Sequence, residues 1–267
     1  MLKYSMDEAT TLSWPFDRDI RYYAEQGIPA VGIQRRKLED YGVDKGIRLL
    51  KDAGMDVSCM LSTGFFSLDD DEQWPGQIEE AKRAIALAAR VEADCLVLLS
   101  GGCGALSYEE AESRFLDILG RLLPEAERMG QRLALEPNNC LRVDLGYIHT
   151  LNDALDLADL VDSAYFTVCF ETNNAWIERR LYENIRRRAG RIGLVQINDF
   201  RAGTTCTPSR APLGDGIIPL ERILNAFEDA GYDGYYDVEL VGPEIEEMGY
   251  EQAVARSLEF LRRLSVG

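Results

Sequence analysis

Residues 132–137 read RLALEP, 165–171 YFTVCFE, 192–199 IGLVQIND and 235–240 YYDVEL. Each is a short run rich in apolar and β-branched residues that carries an acid or amide at or near its end, and each is too brief for an ordinary helix. Four similar runs precede them: LKYSM (2–6), AVGIQ (30–34), DVSCML (56–61) and CLVLLS (95–100). Eight strands are therefore expected. Between them lie segments of helical periodicity, among them DRDIRYYAEQG, VDKGIRLLKDAG, GQIEEAKRAIALAARV, the stretch from Tyr108 to Met129, NDALDLADLV and LERILNAFEDAG. Gly27, Gly54, Gly130 and Gly231 each close such a segment shortly before a strand, where a left-handed cap turns the chain back towards the sheet.

Strand and helix alternating eight times predict a parallel sheet with right-handed crossovers. Such a sheet closes into an α/β fold of one (β/α)8 TIM barrel over residues 1–267. A doubly wound open sheet is the alternative, but no G-x-G-x-x-G follows the first strand. With 46% hydrophobic and 28% charged residues, the 267-residue chain can bury one large core. No apolar run reaches the roughly 20 residues of a membrane span. The opening MLKYSMDEATTLSW lacks the basic-then-apolar pattern of a secretory signal, so a cytoplasmic location without membrane association is expected. A net charge of −17 argues against a general nucleic-acid binder. Cys59, Cys95, Cys103, Cys140, Cys169 and Cys206 contain no C-x-x-C pair and are read as reduced, mostly buried thiols.

In a closed barrel the functional face lies at the carboxyl ends of the strands. Strands five to eight bring Glu136, Glu171, Gln196 with Asp199, and Glu239 to that face, with Ala134 and Glu136, and likewise Asp237 and Glu239, on one side of their strands. Carboxylates converging there raise one another's pKa or recruit a cation. The chain has a single histidine, His149, which excludes a histidine-rich zinc site within one chain. Oxygen ligands from Glu136, Glu171, Glu239 and the Gln196 amide favour Mn2+ or Mg2+ over zinc. His149 is assigned to a helix entry, because Thr150 and Asp153 have capping-box spacing, and a Ser-His-Asp triad is thereby disfavoured. One acid alone also fits a solvated strand end; four polar ends on consecutive strands point to a shared site.

On LALEP, VCFETNNAW, RIGLVQINDF with the loop PLGDGIIPL, and YYDVEL, nearly the whole chain resembles the xylose isomerase-like superfamily of sugar isomerases and epimerases, which includes D-tagatose 3-epimerase, hydroxypyruvate isomerase and endonuclease IV. The resemblance implies a metal-dependent barrel with Glu136, Glu171, Gln196 and Glu239 where a glutamate, an aspartate, a histidine and a glutamate bind the ion. Glu171 is longer than the usual aspartate by one methylene, Gln196 offers an uncharged oxygen in place of an imidazole, and Asn174 stands where a substrate-contacting histidine is common. The implied activity is isomerisation or epimerisation of a small sugar or keto-sugar through an enediolate, with Glu136 and Glu239 as acid and base. Two alternatives remain open: a lyase or dehydratase that expels a β leaving group from the same intermediate, and a noncatalytic barrel with a degenerate metal site. A homo-oligomer is also implied by resemblance. An apurinic endonuclease fits poorly with one histidine and strong acidity.

The residues assigned to substrate contact are Asn174, Asp199, Arg201, Arg142 and Trp14. Arg142 and Arg201 can hold an anionic part of the substrate, or equally be solvated. Arg35, Arg36 and Lys37 after strand two fit either the functional face or a helix entry, and Gly101–Gly104 reads as a tight loop. Phe65, Phe66, Trp74 and Trp176, with Trp14, can wall a sugar site or pack between loops. Tyr22, Tyr23, Phe115, Phe227 and Phe260 are assigned to the core.

Overall fold

The computed structural model describes residues 2–264. Eight parallel strands, β1 (Tyr4–Asp7), β2 (Ala30–Gln34), β3 (Asp56–Thr63), β4 (Cys95–Leu98), β5 (Arg132–Leu135), β6 (Phe166–Glu171), β7 (Ile192–Ile197) and β8 (Tyr236–Val238), hydrogen-bond in sequence order, and β8 pairs back onto β1. This is a single (β/α)8 TIM barrel with helices around it. No helix among the described residues is long and apolar enough to cross a membrane.

Alternation along each strand divides the core in two. On β6, Phe166, Val168 and Phe170 belong to the large layer between sheet and helices, and Phe170 meets Phe227 edge-on at a centroid distance of 5.1 Å. Cys169 joins Cys59, Cys95, Val97, Ala134 and Leu194 in a separate, smaller cluster contributed by five strands. Three of the six cysteines are thus buried, small fillers of the barrel's interior; Cys103 is partly buried, and Cys140 and Cys206 are exposed. Tyr23, Phe115, Phe227 and Phe260 are buried as expected, while Tyr22 is only partly covered. The four expected glycine caps all have positive φ, from 62° at Gly54 to 77° at Gly231, a region that a side chain would strain.

Strands β4, β5, β7 and β8 end earlier than the sequence suggests, and Glu136 and Glu239 lie one residue beyond their strands. Both remain tied to the neighbouring strand: the Glu136 amide donates to the Leu98 carbonyl at 2.9 Å, and that of Glu239 to Ile197 at 3.2 Å. Strand β1 instead runs one residue further, to Asp7. The QRRKLED run opens the helix Arg35–Tyr41, favouring the helix-entry reading of its charges. The helices Leu181–Arg188, Pro243–Met248 and Tyr250–Leu264 complete the shell.

Candidate active site

A cavity of about 340 Å3 opens where the chain leaves β5 and β8. Glu136, Glu239, Asn138, Asn174 and Arg142 line it, together with Gln34 from β2 and Arg210 from the loop after β7. Phe65 also lines it, whereas Phe66 and Trp74 are buried, and Trp176 packs against the core. Each acid follows its strand by one residue, so the strand's alternation and the interstrand hydrogen bond at its own amide fix where the side chain leaves the backbone.

Glu171 ends β6 and caps the short helix Thr172–Ala175. Its Oε2 accepts the Asn174 amide at 2.6 Å; Oε1 accepts Asn198 Nδ2 and faces Arg210 Nε at 3.2 Å. The Glu171 and Arg210 side chains are 0% and 8% exposed, so this is a buried ion pair. The Arg210 backbone N–H is anchored to the Val241 carbonyl at 2.9 Å, which holds the loop against the end of β8. The Asn174 side chain donates to the Pro137 carbonyl at 3.1 Å, bracing the segment beside Glu136.

Electrostatics distinguish the two cavity glutamates. Burial raises Glu136 well above the ordinary glutamate range, and repulsion from Glu239 and Glu171 adds to this, while Arg210 opposes it. Burial also raises Glu239, to about 7; Arg210 again opposes the shift, and Glu171 and Asp237 reinforce it. Both carboxyls are thereby pushed towards the protonated form, and Glu239 titrates near neutrality.

Behind the cavity, β1, β3 and β8 bring Asp7, Cys59 and Asp237 together in full burial. Ser5 Oγ donates to Asp237 Oδ1 at 2.6 Å, and the Ala9 amide to Asp7 Oδ1 at 2.6 Å. Burial raises both aspartates, and the repulsion from Asp237 adds to the shift of Asp7. Gly32 makes room for this layer: a Cβ there would lie 2.4 Å from Asp7 Oδ2 and 3.0 Å from both Asp237 Oδ1 and Cys59 Sγ. Gln196 pairs with Asp237 in strand register and accepts the Cys169 thiol at 3.2 Å, and its Nε2 has no hydrogen-bond partner.

The structure alters several of the expectations. Asp199 does not line the cavity. Its carboxylate is 1% exposed and accepts four backbone N–H groups, from Phe200 and Ile218 on Oδ1 and from Gly214 and Gly216 on Oδ2, so it shapes the loop that carries Arg210. Arg201 also lies off the cavity, on the surface, paired with Glu244 and Asp215. Trp14 stacks edge-on with Tyr22 and Tyr250 beneath the Arg18 guanidinium, beside a different groove. Arg142 does reach the cavity but is engaged by Asp144 at 2.8 Å. His149 accepts its assigned part: Nδ1 lies 3.0 Å from the Asn138 carbonyl, and Thr150 caps the helix Leu151–Val161.

The expected ligand set of Glu136, Glu171, Gln196 and Glu239 does not fit a dication in this arrangement. Two N–H donors, from Asn174 and Asn198, already engage the Glu171 carboxylate, a guanidinium lies against it, and the Gln196 oxygen is turned to Cys169. Among the described residues, the acids and thiols whose ligand atoms converge within 4.8 Å are Asp7, Cys59 and Asp237, not the three glutamates. That deeper triad is satisfied by its own hydroxyl and amide donors. Arg210, two residues before the PLGDGIIPL loop, is not singled out by sequence, because nothing local distinguishes a buried arginine from a solvated one.

The chain belongs to the xylose isomerase-like TIM barrel family, whose model matches residues 20–264. It is 24% identical to L-ribulose-5-phosphate 3-epimerase UlaE of Escherichia coli over 242 residues, 88% of this chain and 79% of that one. The Salmonella typhimurium enzyme of the same name is 26% identical over 161 residues, 60% of this chain and only 54% of its own length. Among solved structures, protein SMc04130 from Sinorhizobium meliloti superposes with a TM-score of 0.92 at 26% identity, over 98% of both chains. The IOLI protein with a bound zinc atom superposes with a TM-score of 0.85 at 19% identity, again over 98% of both, a likeness of fold.

Proposed function

We propose that the protein is a sugar isomerase or epimerase acting on a small keto-sugar by proton transfer at the carbon beside the carbonyl. The observation that carries this reading is the convergence of Glu136 and Glu239 on one cavity, where burial and mutual repulsion raise Glu136 and burial raises Glu239 to about 7. Proton transfer between carbon and two faces of a planar intermediate needs one base and one acid, and two carboxyls on one cavity are the groups that supply them. The similarity to L-ribulose-5-phosphate 3-epimerase supports the same class of reaction.

In this scheme Glu239 takes the proton from carbon, the C–H electron pair becomes the carbon–carbon double bond, and the carbonyl π pair moves onto its oxygen, giving an enediolate. Glu136 then returns its own proton to the opposite face of that carbon, which inverts it. Return to the neighbouring carbon, with a matching shift of the hydroxyl proton, interconverts aldose and ketose. Asn138 and Asn174 offer the cavity neutral polar groups for sugar hydroxyls, and the wall at Phe65 is apolar. Neither the metal dependence nor the Mn2+ or Mg2+ preference expected from the sequence is carried into this scheme, because the donors are otherwise engaged. The dehydratase alternative has no separate observation in its favour.

The test is incubation of the protein with a panel of ketopentoses, ketohexoses and their phosphates in deuterated water. Deuterium at the carbon beside the carbonyl, abolished in Glu239→Gln with the melting temperature preserved, is expected. No exchange in any sugar, or undiminished exchange in Glu239→Gln, removes this assignment.

A further inference from the structure

We infer that the guanidinium of Arg210, and not a bound dication, is the positive charge around which this site is built, and that it faces the substrate's developing oxyanion. The second half rests on the proton-transfer reading above; the first does not.

A guanidinium is costly to bury unless paired, and Arg210 is 7% exposed. Its partner is Glu171, at 3.2 Å, itself fully buried. The same arginine lines the cavity together with Glu136 and Glu239, so one cationic side chain meets all three glutamates. A dication among these carboxylates would sit against this fixed positive charge. It would also find the Glu171 oxygens accepting from Asn174 and Asn198 and faced by the Arg210 guanidinium, and an amide turned to Cys169 at the fourth position. Guanidinium donors fixed in a partly enclosed cavity stabilise an enediolate oxygen as other preorganised N–H groups do.

The orientation of Arg210 is itself built in. Asp199 pairs with Ala211 in both directions, at 3.0 and 2.8 Å, and gathers the loop through its carboxylate, so the residue beside Arg210 cannot drift. Gly216 has no room for a side chain, since a Cβ would lie 2.2 Å from Asp199 Oδ1.

Titration of chelator-treated wild-type protein with Mn2+, with the free ion followed by electron paramagnetic resonance, is expected to reveal no stoichiometric site. Sugar deuterium exchange is expected to continue unchanged in the presence of chelator. Arg210→Ala is expected to lower that exchange by about 100-fold or more with little change in KM, and added guanidinium to restore part of it, which a folding defect would not allow. Stoichiometric Mn2+ binding that is lost in Glu171→Gln overturns the proposal, as does undiminished exchange in Arg210→Ala. Because the Mn2+ titration needs no substrate, its result stands apart from the outcome of the sugar panel.

Discussion

Replacing Asp199 by asparagine separates a loop-shaping role from substrate contact. The carboxylate accepts Phe200 at 2.8 Å and Ile218 at 2.9 Å on one oxygen, and Gly214 at 3.1 Å and Gly216 at 2.9 Å on the other. An amide of the same shape keeps one oxygen and turns the other atom into a donor, so two of the four N–H groups lose their acceptor and meet an N–H in its place. A buried donor left without a partner costs about 1–3 kcal/mol, and the two surviving bonds weaken from charge-assisted to neutral. A net loss of about 3 kcal/mol is the conservative sum, equivalent to a fall of roughly 6–12 °C in melting temperature for a chain of this size. The assay is thermal unfolding by circular dichroism beside steady-state kinetics. Because the loop also carries Arg210, kcat is expected to fall along with stability. An unchanged melting temperature with a raised KM would refute the reasoning and return Asp199 to the substrate.

Two further outcomes follow from the same geometry. The Glu239 carboxyl must be ionised to accept a proton and titrates near 7, so the proton-transfer rate is expected to rise as pH increases through that value; at higher pH it falls again as Glu136 gives up the proton it must donate. A rate independent of pH between 5 and 9 would deny Glu239 its role as base. Gly32→Ala places a methyl group against Asp7, Asp237 and Cys59 and is expected to destabilise the fold by about 1–3 kcal/mol; denaturant unfolding with an unchanged midpoint would show that the interior layer has slack.

Strand periodicity determined most of this protein before any coordinates. A strand's side chains alternate with a period of two, so the alignment of Ala134 with Glu136 and of Asp237 with Glu239 could be read directly, and both pairs lie where the alternation puts them. The barrel's direction then sends the chain ends of β5 and β8 to one face. The glycine caps were legible for an equally local reason, since only a residue without a side chain takes positive φ cheaply.

Tertiary structure alone decided which cation meets those acids. Arg210 and Glu171 are 39 residues apart, and Arg210 and Glu136 still further, so their approach depends on how the loop after β7 folds over the mouth. Asp199 lies just past the end of β7, where strand alternation no longer sets direction; four amides from its own loop claimed it. Trp14 was drawn to Tyr22 and Tyr250, the latter from the far end of the chain. Local sequence specifies which stretches form strands and which of their side chains share a face, because both are properties of a few bonded neighbours; the partner that neutralises a buried charge is chosen by packing among distant segments, and no short stretch of sequence contains that choice.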